Sequence, residues 1–377
     1  MVLGSVAPID ISDVCGMNLW DIGKCQWSEP LLSLAGGQEG IDDLRRKLGD
    51  VREDGGGSMG SISPWFVSRY GFPRDCQVVP FTGDNPSTIL ALPLRPLDAI
   101  VSLGTSTTFL MSTPKYTPHP SYHFFNHPTT PGLYMFMLCY KNGGLARERI
   151  RDSINESQGI TEEGSWEAFN RAVKSSLQFG MRRSSDPGKL GLYFPLPEIV
   201  PKVSAGTWRF YYDTYSGSLR EARKGYGGWK IPQDDARAIV ESQFLSIRLR
   251  SQNLIQAPSS NLPPQPRRIY LVGGGSLNEV IASIAGDVLG GTEGVYRLDV
   301  GGNACALGAA YKAAWGVERG EVEGFDEFVR ARWREEDAIK RIGEGYMGDR
   351  WGLWEKYGEA LKVFGEAERR ALEGGSE

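Results

Sequence analysis

One acidic residue of this 377-residue chain lies in a glycine turn, where it could act on a bound molecule. The turn Gly83-Asp84-Asn85 follows the apolar stretch 77–82, and an acidic residue at the end of a strand in an α/β sheet is a favoured ligand position. The Asp84 carboxylate could take the proton of a hydroxyl group while that oxygen attacks phosphorus. Considered alone, an aspartate at this place is more often a helix N-cap, so both interpretations stay open.

Two further glycine turns have the composition of anion-binding loops. Gly104-Thr105-Ser106 would expose N–H groups and hydroxyls to a phosphate, although an ordinary hairpin turn is the simpler explanation. Gly273-Gly274-Gly275 follows an apolar strand and precedes a predicted helix, a pattern that lets the backbone approach a ligand closely. Its spacing matches neither the dinucleotide-binding fingerprint nor the P-loop. Ligand binding and a tight strand–helix turn are equally good interpretations of it.

The histidines and cysteines do not indicate a metal centre. His119, His123 and His127 are spaced by four, but the prolines among them exclude a helix. We therefore expect surface or strand histidines rather than zinc ligands. The five cysteines are widely scattered without a Cys-x-x-Cys pair, which favours reduced thiols in a cytoplasmic protein over a disulfide framework.

The composition excludes several classes of protein. With 42 Lys+Arg against 46 Asp+Glu, the net charge is −4, which argues against a nucleic-acid-binding surface. No apolar run approaches the roughly 18–20 residues that span a bilayer, and no signal peptide is expected from the first residues. A hydrophobic content of 40% excludes general disorder. Glycine, at 48 residues, is in excess and clusters at a few turns.

Strands and helices are predicted on both sides of these turns. The strongest helix spans 231–254, where Pro232 and two aspartates precede an apolar stripe. The charge-rich residues after 316 are expected to form a solvated helical tail anchored by Trp333, Trp351 and Trp354. Strands are predicted at 77–82, 98–110 (strand, turn, strand), 122–125, 133–140, 267–272 and 295–300. Helices are predicted at 40–48, 86–92, 145–154, 166–177, 231–254, 277–289 and 304–315.

The turns and their order resemble those of the FGGY carbohydrate kinases, closest to the eukaryotic, fungal-like members that act on D-xylulose. The resemblance covers about residues 4–315. It rests on the segments VPFTGDNPS at 79–87, IVSLGTS at 100–106, CGMNL at 15–19, SRYGFP at 68–73, CYKNGGLARE at 139–148, VGGGSLN at 272–278 and NACALGAAY at 303–311.

The resemblance implies an α/β protein of the actin-like ATPase (ribonuclease H-like) fold, with a cleft between two domains. One domain would hold the sugar and the other ATP with Mg²⁺. On this basis, residues 1–97 are expected to be the C-terminal remainder of a sugar-binding domain. Residues 98–315 would form the complete nucleotide-binding domain, and 316–377 the charged helical tail.

The resemblance also implies a reaction, the ATP-dependent phosphorylation of D-xylulose to D-xylulose 5-phosphate. Asp84 would be the general base and Asn85 would touch the sugar. The turn Gly104-Thr105-Ser106 would face the γ-phosphate. The expected adenosine-binding residues are Gly274, Gly275 and Asn278, with Trp166 lining the nucleotide pocket.

The chain departs from the family in one respect. Family members begin with a strand–turn–strand that carries an Asp-x-Gly-(Thr/Ser) phosphate loop, and this sequence contains none. We therefore expect an N-terminally truncated chain that keeps nucleotide affinity but has weak or no kinase activity. Two alternatives stay open: a kinase of another pentulose or polyol, and a non-catalytic nucleotide-binding fragment. The oligomeric state is not indicated.

Overall fold

The computed structural model describes residues 1–181, 183, 186–213, 215–222, 228–298, 303–347 and 352–374. Short elements make up the first 97 residues. Their strands are Ile9–Asp10 (β1), Trp20–Asp21 (β2), Gln26–Trp27 (β3), Val51–Arg52 (β4), Gly60–Ser61 (β5) and Gln77–Val78 (β6). Their helices are Glu29–Gly36 (α1), Ile41–Leu48 (α2), Pro64–Tyr70 (α3) and Asp84–Ile89 (α4), with 3₁₀ turns at Asp13–Met17 and Gln38–Gly40.

Longer elements follow. The strands are Ala99–Leu103 (β7), Thr107–Thr113 (β8), His123–Asn126 (β9), Tyr134–Tyr140 (β10), Gly188–Phe194 (β11), Glu198–Ile199 (β12), Lys202–Val203 (β13), Gly206–Tyr212 (β14), Leu219–Glu221 (β15), Ile269–Val272 (β16), Val295–Leu298 (β17) and Ile339–Gly343 (β18). The helices are Gly144–Ser157 (α5), Glu167–Lys174 (α6), Gln233–Ser251 (α7), Glu279–Leu289 (α8), Ala304–Glu318 (α9), Phe325–Arg332 (α10), Glu335–Ala338 (α11), Leu353–Glu359 (α12) and Leu361–Gly374 (α13). Short 3₁₀ helices lie at Gln178–Gly180, Gly274–Leu277 and Gly345–Met347.

A seven-stranded mixed sheet in the order β18-β17-β16-β7-β8-β10-β9 organises the chain. The three strands β17, β16 and β7 are parallel, and the remaining pairs are antiparallel. Because successive side chains of a strand point to opposite faces, each apolar strand supplies two cores. Val101 and Phe109 contribute to one core, whereas Ile100 and Leu110 contribute to the other.

Helices cover both faces of this sheet. The first core receives apolar side chains from α5, α6, α7, α8 and α13, and the second from α4, α9 and α10. A three-stranded sheet, β11-β14-β15, packs beside α7. This explains why α7 is buried on most of its surface. The turns at Gly104 and Gly273 lie at one end of this sheet, whose two faces are both covered by helices.

The predicted secondary structure is confirmed in outline around the central sheet, and the following predictions are corrected. Residues 77–82 form only the two-residue strand β6, since Pro80 has no N–H to donate to a sheet. The helix predicted at 86–92 spans 84–89 instead. The strand predicted at 295–300 is confirmed for 295–298, and its last two residues lie outside the described residues. His127 is buried rather than at the surface.

The tail after residue 316 is helical over much of its length, but the prediction that it is solvated was wrong. Strand β18 joins the central sheet, and Phe328, Tyr357 and Phe364 are almost fully buried. Of the expected anchors, Trp333 and Trp354 are half-buried, and Trp351 lies outside the described residues. Among the described residues, no helix combines the length and the apolar character that crossing a membrane requires.

Candidate active site

Asp84 is the first residue of α4 and is exposed. The N-cap residue of that helix is Gly83, so the N-cap explanation for Asp84 does not hold. Its Oδ1 atom accepts hydrogen bonds from the backbone N–H of Asn85 at 2.7 Å and from Asn85 Nδ2 at 3.1 Å. Its Oδ2 atom has no hydrogen-bond partner among the described residues. One carboxylate oxygen is therefore held and the other is free to accept a proton.

Helix α9 fixes the position of α4. A Cβ atom at Gly308 would overlap the carbonyl oxygen of Ser87, so the two helix backbones touch at this glycine. One turn further along α9, Lys312 Nζ donates to Asp10 Oδ2 at 2.7 Å and to the Pro80 carbonyl oxygen at 2.9 Å. Since Pro80 lies four residues before the start of α4, Lys312 ties the segment that leads into the site to α9.

Two cysteine thiols lie within electrostatic reach of Asp84. Burial raises the pKa of the Cys139 thiol, and the negative charges of Glu198 and Asp84 raise it further. Burial and the Asp84 charge likewise raise the pKa of the Cys305 thiol. The end of β10 and the start of α9 therefore approach the start of α4. Neither cysteine stands out in the sequence as a site residue, although both fall inside the segments that carry the family resemblance.

Asp13 is a second carboxylate beside the Gly83 turn. Its Oδ1 atom lies 3.3 Å from the position that a Cβ would take at Gly83. Burial raises the pKa of the Asp13 carboxyl group and the Asp10 charge adds to this effect, whereas Lys312 opposes it. Asp13 was also missed as a site residue, because nothing in its local sequence distinguishes it from a turn aspartate.

The turn Gly104-Thr105-Ser106 joins β7 to β8, so it is both a hairpin turn and a candidate phosphate loop. Its backbone is held by the start of α5: the N–H of Gly144 donates to the Gly104 carbonyl oxygen at 2.9 Å, and the N–H of Leu145 to that of Thr105 at 3.2 Å. The Thr105 and Ser106 residues are exposed. The turn is therefore held against the start of α5, while the Thr105 and Ser106 residues stay accessible to solvent.

The second glycine turn lies directly against the first. Gly273 has a φ of 82°, and its Cβ position would be 3.1 Å from the Leu103 carbonyl oxygen. A Cβ at Gly275 would stand 2.9 Å from Leu103 Cβ. Gly274 has open space around its Cβ position. Because Leu103 immediately precedes Gly104, the structure brings the two predicted turns together.

Asn278 and Trp166 meet through Asn170 of α6. Asn278 caps α8, its Oδ1 accepting from the N–H groups of Val280 at 3.0 Å and Ile281 at 3.3 Å. Its Nδ2 donates to Asn170 Oδ1 at 2.9 Å, and the Asn170 N–H donates to the Trp166 carbonyl oxygen at 2.9 Å. Trp166 is half-buried just before α6.

Asp84 belongs to the same end of the sheet as the glycine turns, although no direct contact joins them among the described residues. Cys139 pairs with Thr108 in the β8–β10 ladder, two residues beyond Ser106. A cavity of about 1090 Å³ borders Ser276 next to the second turn but does not reach Asp84. Within the described part of the chain, no group of three or more His, Cys, Asp or Glu residues could hold a metal ion.

Comparison with known proteins identifies the family. The model of the FGGY family of carbohydrate kinases, C-terminal domain, matches residues 99–317. D-xylulose kinase A of Aspergillus niger is 58% identical over 372 residues. A probable D-xylulose kinase A of Aspergillus fumigatus is 59% identical over 372 residues. Both alignments cover 99% of this chain and 64% of the relative, so the chain spans 64% of the length of these curated relatives.

Solved structures agree on the fold. The xylulose kinase of Rhodospirillum rubrum superposes with a TM-score of 0.69 at 17% identity, covering 98% of this chain and 65% of that one. The ligand-bound xylulose kinase of Lactobacillus acidophilus superposes with a TM-score of 0.68 at 15% identity, covering 99% and 66%. These likenesses confirm the predicted α/β fold of the actin-like ATPase type. Since the family model matches more than half of the sequence, the chain belongs to the FGGY family of carbohydrate kinases.

Proposed function

We propose that this chain carries the nucleotide site and the general base of a kinase that phosphorylates D-xylulose to D-xylulose 5-phosphate with ATP. The observation that carries the proposal is the free Asp84 oxygen at the same sheet end as the two glycine turns that meet at Leu103. The identity of 57–59% to proteins named D-xylulose kinase A supports the choice of sugar.

In the proposed reaction, Asp84 Oδ2 takes the proton of a sugar hydroxyl while that oxygen attacks the γ-phosphorus of ATP. The new oxygen–phosphorus bond forms as the bond to the ADP oxygen breaks, and the proton stays on Asp84 until solvent removes it. Asn85 holds the other carboxylate oxygen through two hydrogen bonds, which aims the free oxygen outward. Asn85 also borders the sugar in this proposal.

The glycine turns would hold the nucleotide. Thr105 and Ser106 offer exposed hydroxyl groups to the γ-phosphate, and Gly104 lets the backbone approach it closely. Gly274 and Gly275 take the adenosine, with Trp166 as an aromatic wall. An amide has two N–H donors, so Asn278 keeps one for the ligand after its bond to Asn170.

Mg²⁺ fits this donor set as an ion carried by the phosphates of ATP. The Gly104-Thr105-Ser106 turn offers hydroxyl oxygens, which are hard ligands, and Mg²⁺ usually keeps several waters and binds through substrate phosphates. When bound, the ion would neutralise charge on the transferring phosphoryl group. Thr105 and Ser106, whose side chains are exposed, are the residues that would contact it.

In the proposed domain division, residues 1–97 belong to the sugar-binding domain and residues 98–315 form the nucleotide-binding domain. Residues 316–377 are a C-terminal extension. The extension packs on the middle segment through β18 and α13. The proposed partners are D-xylulose and ATP, with no role for nucleic acid or membrane. The five free cysteines suit a cytoplasmic protein.

A second candidate is nucleotide binding without catalysis, because the sequence contains no Asp-x-Gly-(Thr/Ser) phosphate loop. ATP titration by calorimetry, combined with ADP release in the presence of D-xylulose, D-ribulose or glycerol, separates the candidates. ADP release with D-xylulose that disappears in Asp84→Asn supports the full proposal, and a preference for another substrate would reassign the sugar. ATP binding without sugar-dependent release supports the second candidate. A folded chain that does not bind ATP contradicts both.

A further inference from the structure

A buried arginine that has no counter-ion among the described residues lies next to both glycine turns. Arg147 of α5 is 2% exposed and belongs to the largest fully buried side chains of the protein. Its one hydrogen bond in the described part of the chain runs from Nη1 to the neutral amide oxygen of Gln243, at 2.6 Å. No carboxylate among the described residues lies within ion-pairing distance. Burial lowers the pKa of Arg147 to about 10, and only Glu148, which is exposed on the same helix, opposes this effect.

The other buried arginines of the described residues have more partners than Arg147. Arg237 pairs with Glu241 at 2.6 Å and donates to two backbone carbonyl groups. Arg248 donates to the carbonyl oxygens of Val288 and Trp354, and its guanidinium lies 3.8 Å from the centre of the Trp354 ring. Burying a cation without such partners is costly. Arg147 therefore bears a cost that its neighbours in the protein do not offset.

The free side of this guanidinium faces the nucleotide turns. Arg147 Nη2 lies 3.2 Å from the position that a Cβ would take at Gly275, and that position is 3.0 Å from the Leu103 carbonyl oxygen. Gln243, which holds Nη1, also donates to the carbonyl oxygens of Asn142 and Gly143 at 2.8 and 3.0 Å. The cation is thus fixed between the Gly273–Gly275 turn and the turn that begins at Gly104.

The start of α5 has fewer free N–H groups to offer an anion than an uncapped helix would have. Its first two N–H groups are used, since Gly144 donates to Gly104 and Leu145 donates to Thr105. A helix N-terminus attracts anions mainly through unsatisfied N–H groups. Arg147 is accordingly a cation available at the point where the two turns meet.

We propose that Arg147 is a positioning residue for the phosphates of a nucleoside di- or triphosphate, which supply the counter-ion that the described residues do not. This inference rests on the nucleotide site proposed above and adds a residue to it. A phosphate near Nη2 would form a charge-assisted interaction, and the cost of burying the unpaired cation would be relieved on binding. Binding of the nucleotide's phosphates, rather than of its adenosine, should therefore depend on Arg147.

The test is calorimetric titration of ATP, ADP and adenosine into the unmodified chain and into Arg147→Met, Arg147→Lys and Arg149→Met. Arg149 is the matched control, because it lies two residues along the same helix and is exposed. We expect Arg147→Met to weaken ATP and ADP binding about tenfold or more. Adenosine binding should stay within about twofold, Arg147→Lys should restore most of the loss, and Arg149→Met should bind like the unmodified chain.

Other results would overturn the inference. Unchanged ATP affinity in folded Arg147→Met removes the role, and an equal loss for adenosine and ATP reduces Arg147 to a structural residue. If Arg147→Met does not fold, the same titrations are made with Arg147→Gln, which retains a polar group near Gln243 without the charge. Unchanged ATP affinity in that variant overturns the inference. An unmodified chain that binds no ATP would overturn the nucleotide site itself. If the chain binds ATP and the Arg147 variants bind it with the same affinity, only this inference is overturned.

Discussion

Lys312 Nζ lies 2.7 Å from Asp10 Oδ2, and both side chains are at most 2% exposed. This buried ion pair joins residues 302 positions apart. Asp10 Oδ1 in turn accepts from the N–H groups of Ser12 and Asp13. The pair therefore connects α9, the Asp13 turn and, through the Pro80 carbonyl group, the segment that leads to α4.

Lys312→Met should lower the free energy of unfolding by about 3–5 kcal/mol, because it leaves Asp10 charged and buried without a partner. Urea unfolding measures this effect. In the double variant Asp10→Asn with Lys312→Met, much of the stability should return, since the asparagine oxygen still accepts from Ser12 and Asp13. Equal stability of the single variant and the unmodified chain would show that the pair contributes nothing.

Gly308→Ala should be strongly destabilising, because its Cβ would overlap the Ser87 carbonyl oxygen and push α4 away from α9. Gly365→Ala is the matched control: Gly365 is also helical, but its Cβ would make only an ordinary contact of 3.7 Å with Leu249. That change should raise stability by about 1 kcal/mol through helix propensity. Thermal unfolding of the two variants should shift in opposite directions, and a shared direction would contradict the close packing.

Stability should fall as the pH drops from about 6.5 towards 4. Burial lowers the pKa of His127 to about 4, whereas the unfolded chain titrates near its ordinary value of 6.5. The unfolded state therefore binds more protons in this window, and His127 alone should cost about 2 kcal/mol between pH 7 and pH 5. Urea unfolding at both pH values should show a smaller pH effect in His127→Gln. His119→Gln, which removes an exposed imidazole instead of the buried one, is the matched control.

Asn278→Asp should separate capping from ligand binding. An aspartate keeps the acceptor oxygen for Val280 and Ile281 and suits the N-terminus of α8. It loses both N–H donors, including the one that bonds Asn170. We expect unchanged thermal stability with ATP affinity reduced about tenfold. Asn278→Ala should in addition lose about 1 kcal/mol of stability. ATP binding that is unaffected by either change would remove Asn278 from the nucleotide site.

The central sheet could be predicted because its strands are short apolar runs bounded by glycine turns. The strand–turn–strand around Gly104 and the strand before Gly273 were both correct. Strands β11 and β14 were not predicted. Their segments GKLGLYF and GTWRFYY mix glycine, charged and aromatic residues without regular alternation. The two strands are stabilised by antiparallel pairing with each other.

The partners of the candidate site were harder to foresee. Asp84 and the glycine turns stand out in their local sequence. Asp13, Cys139 and Cys305 lie near the site only because segments far apart in the sequence pack together. Arg147 is the clearest example, because a helical arginine is usually exposed. Its burial follows from α5 starting against the Gly104 turn, which depends on contacts between segments far apart in the chain.

The most direct test of the account is calorimetric titration of ATP into the unmodified chain and into Asp84→Asn, with D-xylulose-dependent ADP release measured on the same samples. The account predicts one saturable ATP site of equal affinity in both proteins, since Asp84 acts on the sugar hydroxyl and not on the nucleotide. Any sugar-dependent ADP release should occur only in the unmodified chain. A folded chain without ATP affinity, or ADP release that survives Asp84→Asn, would contradict it.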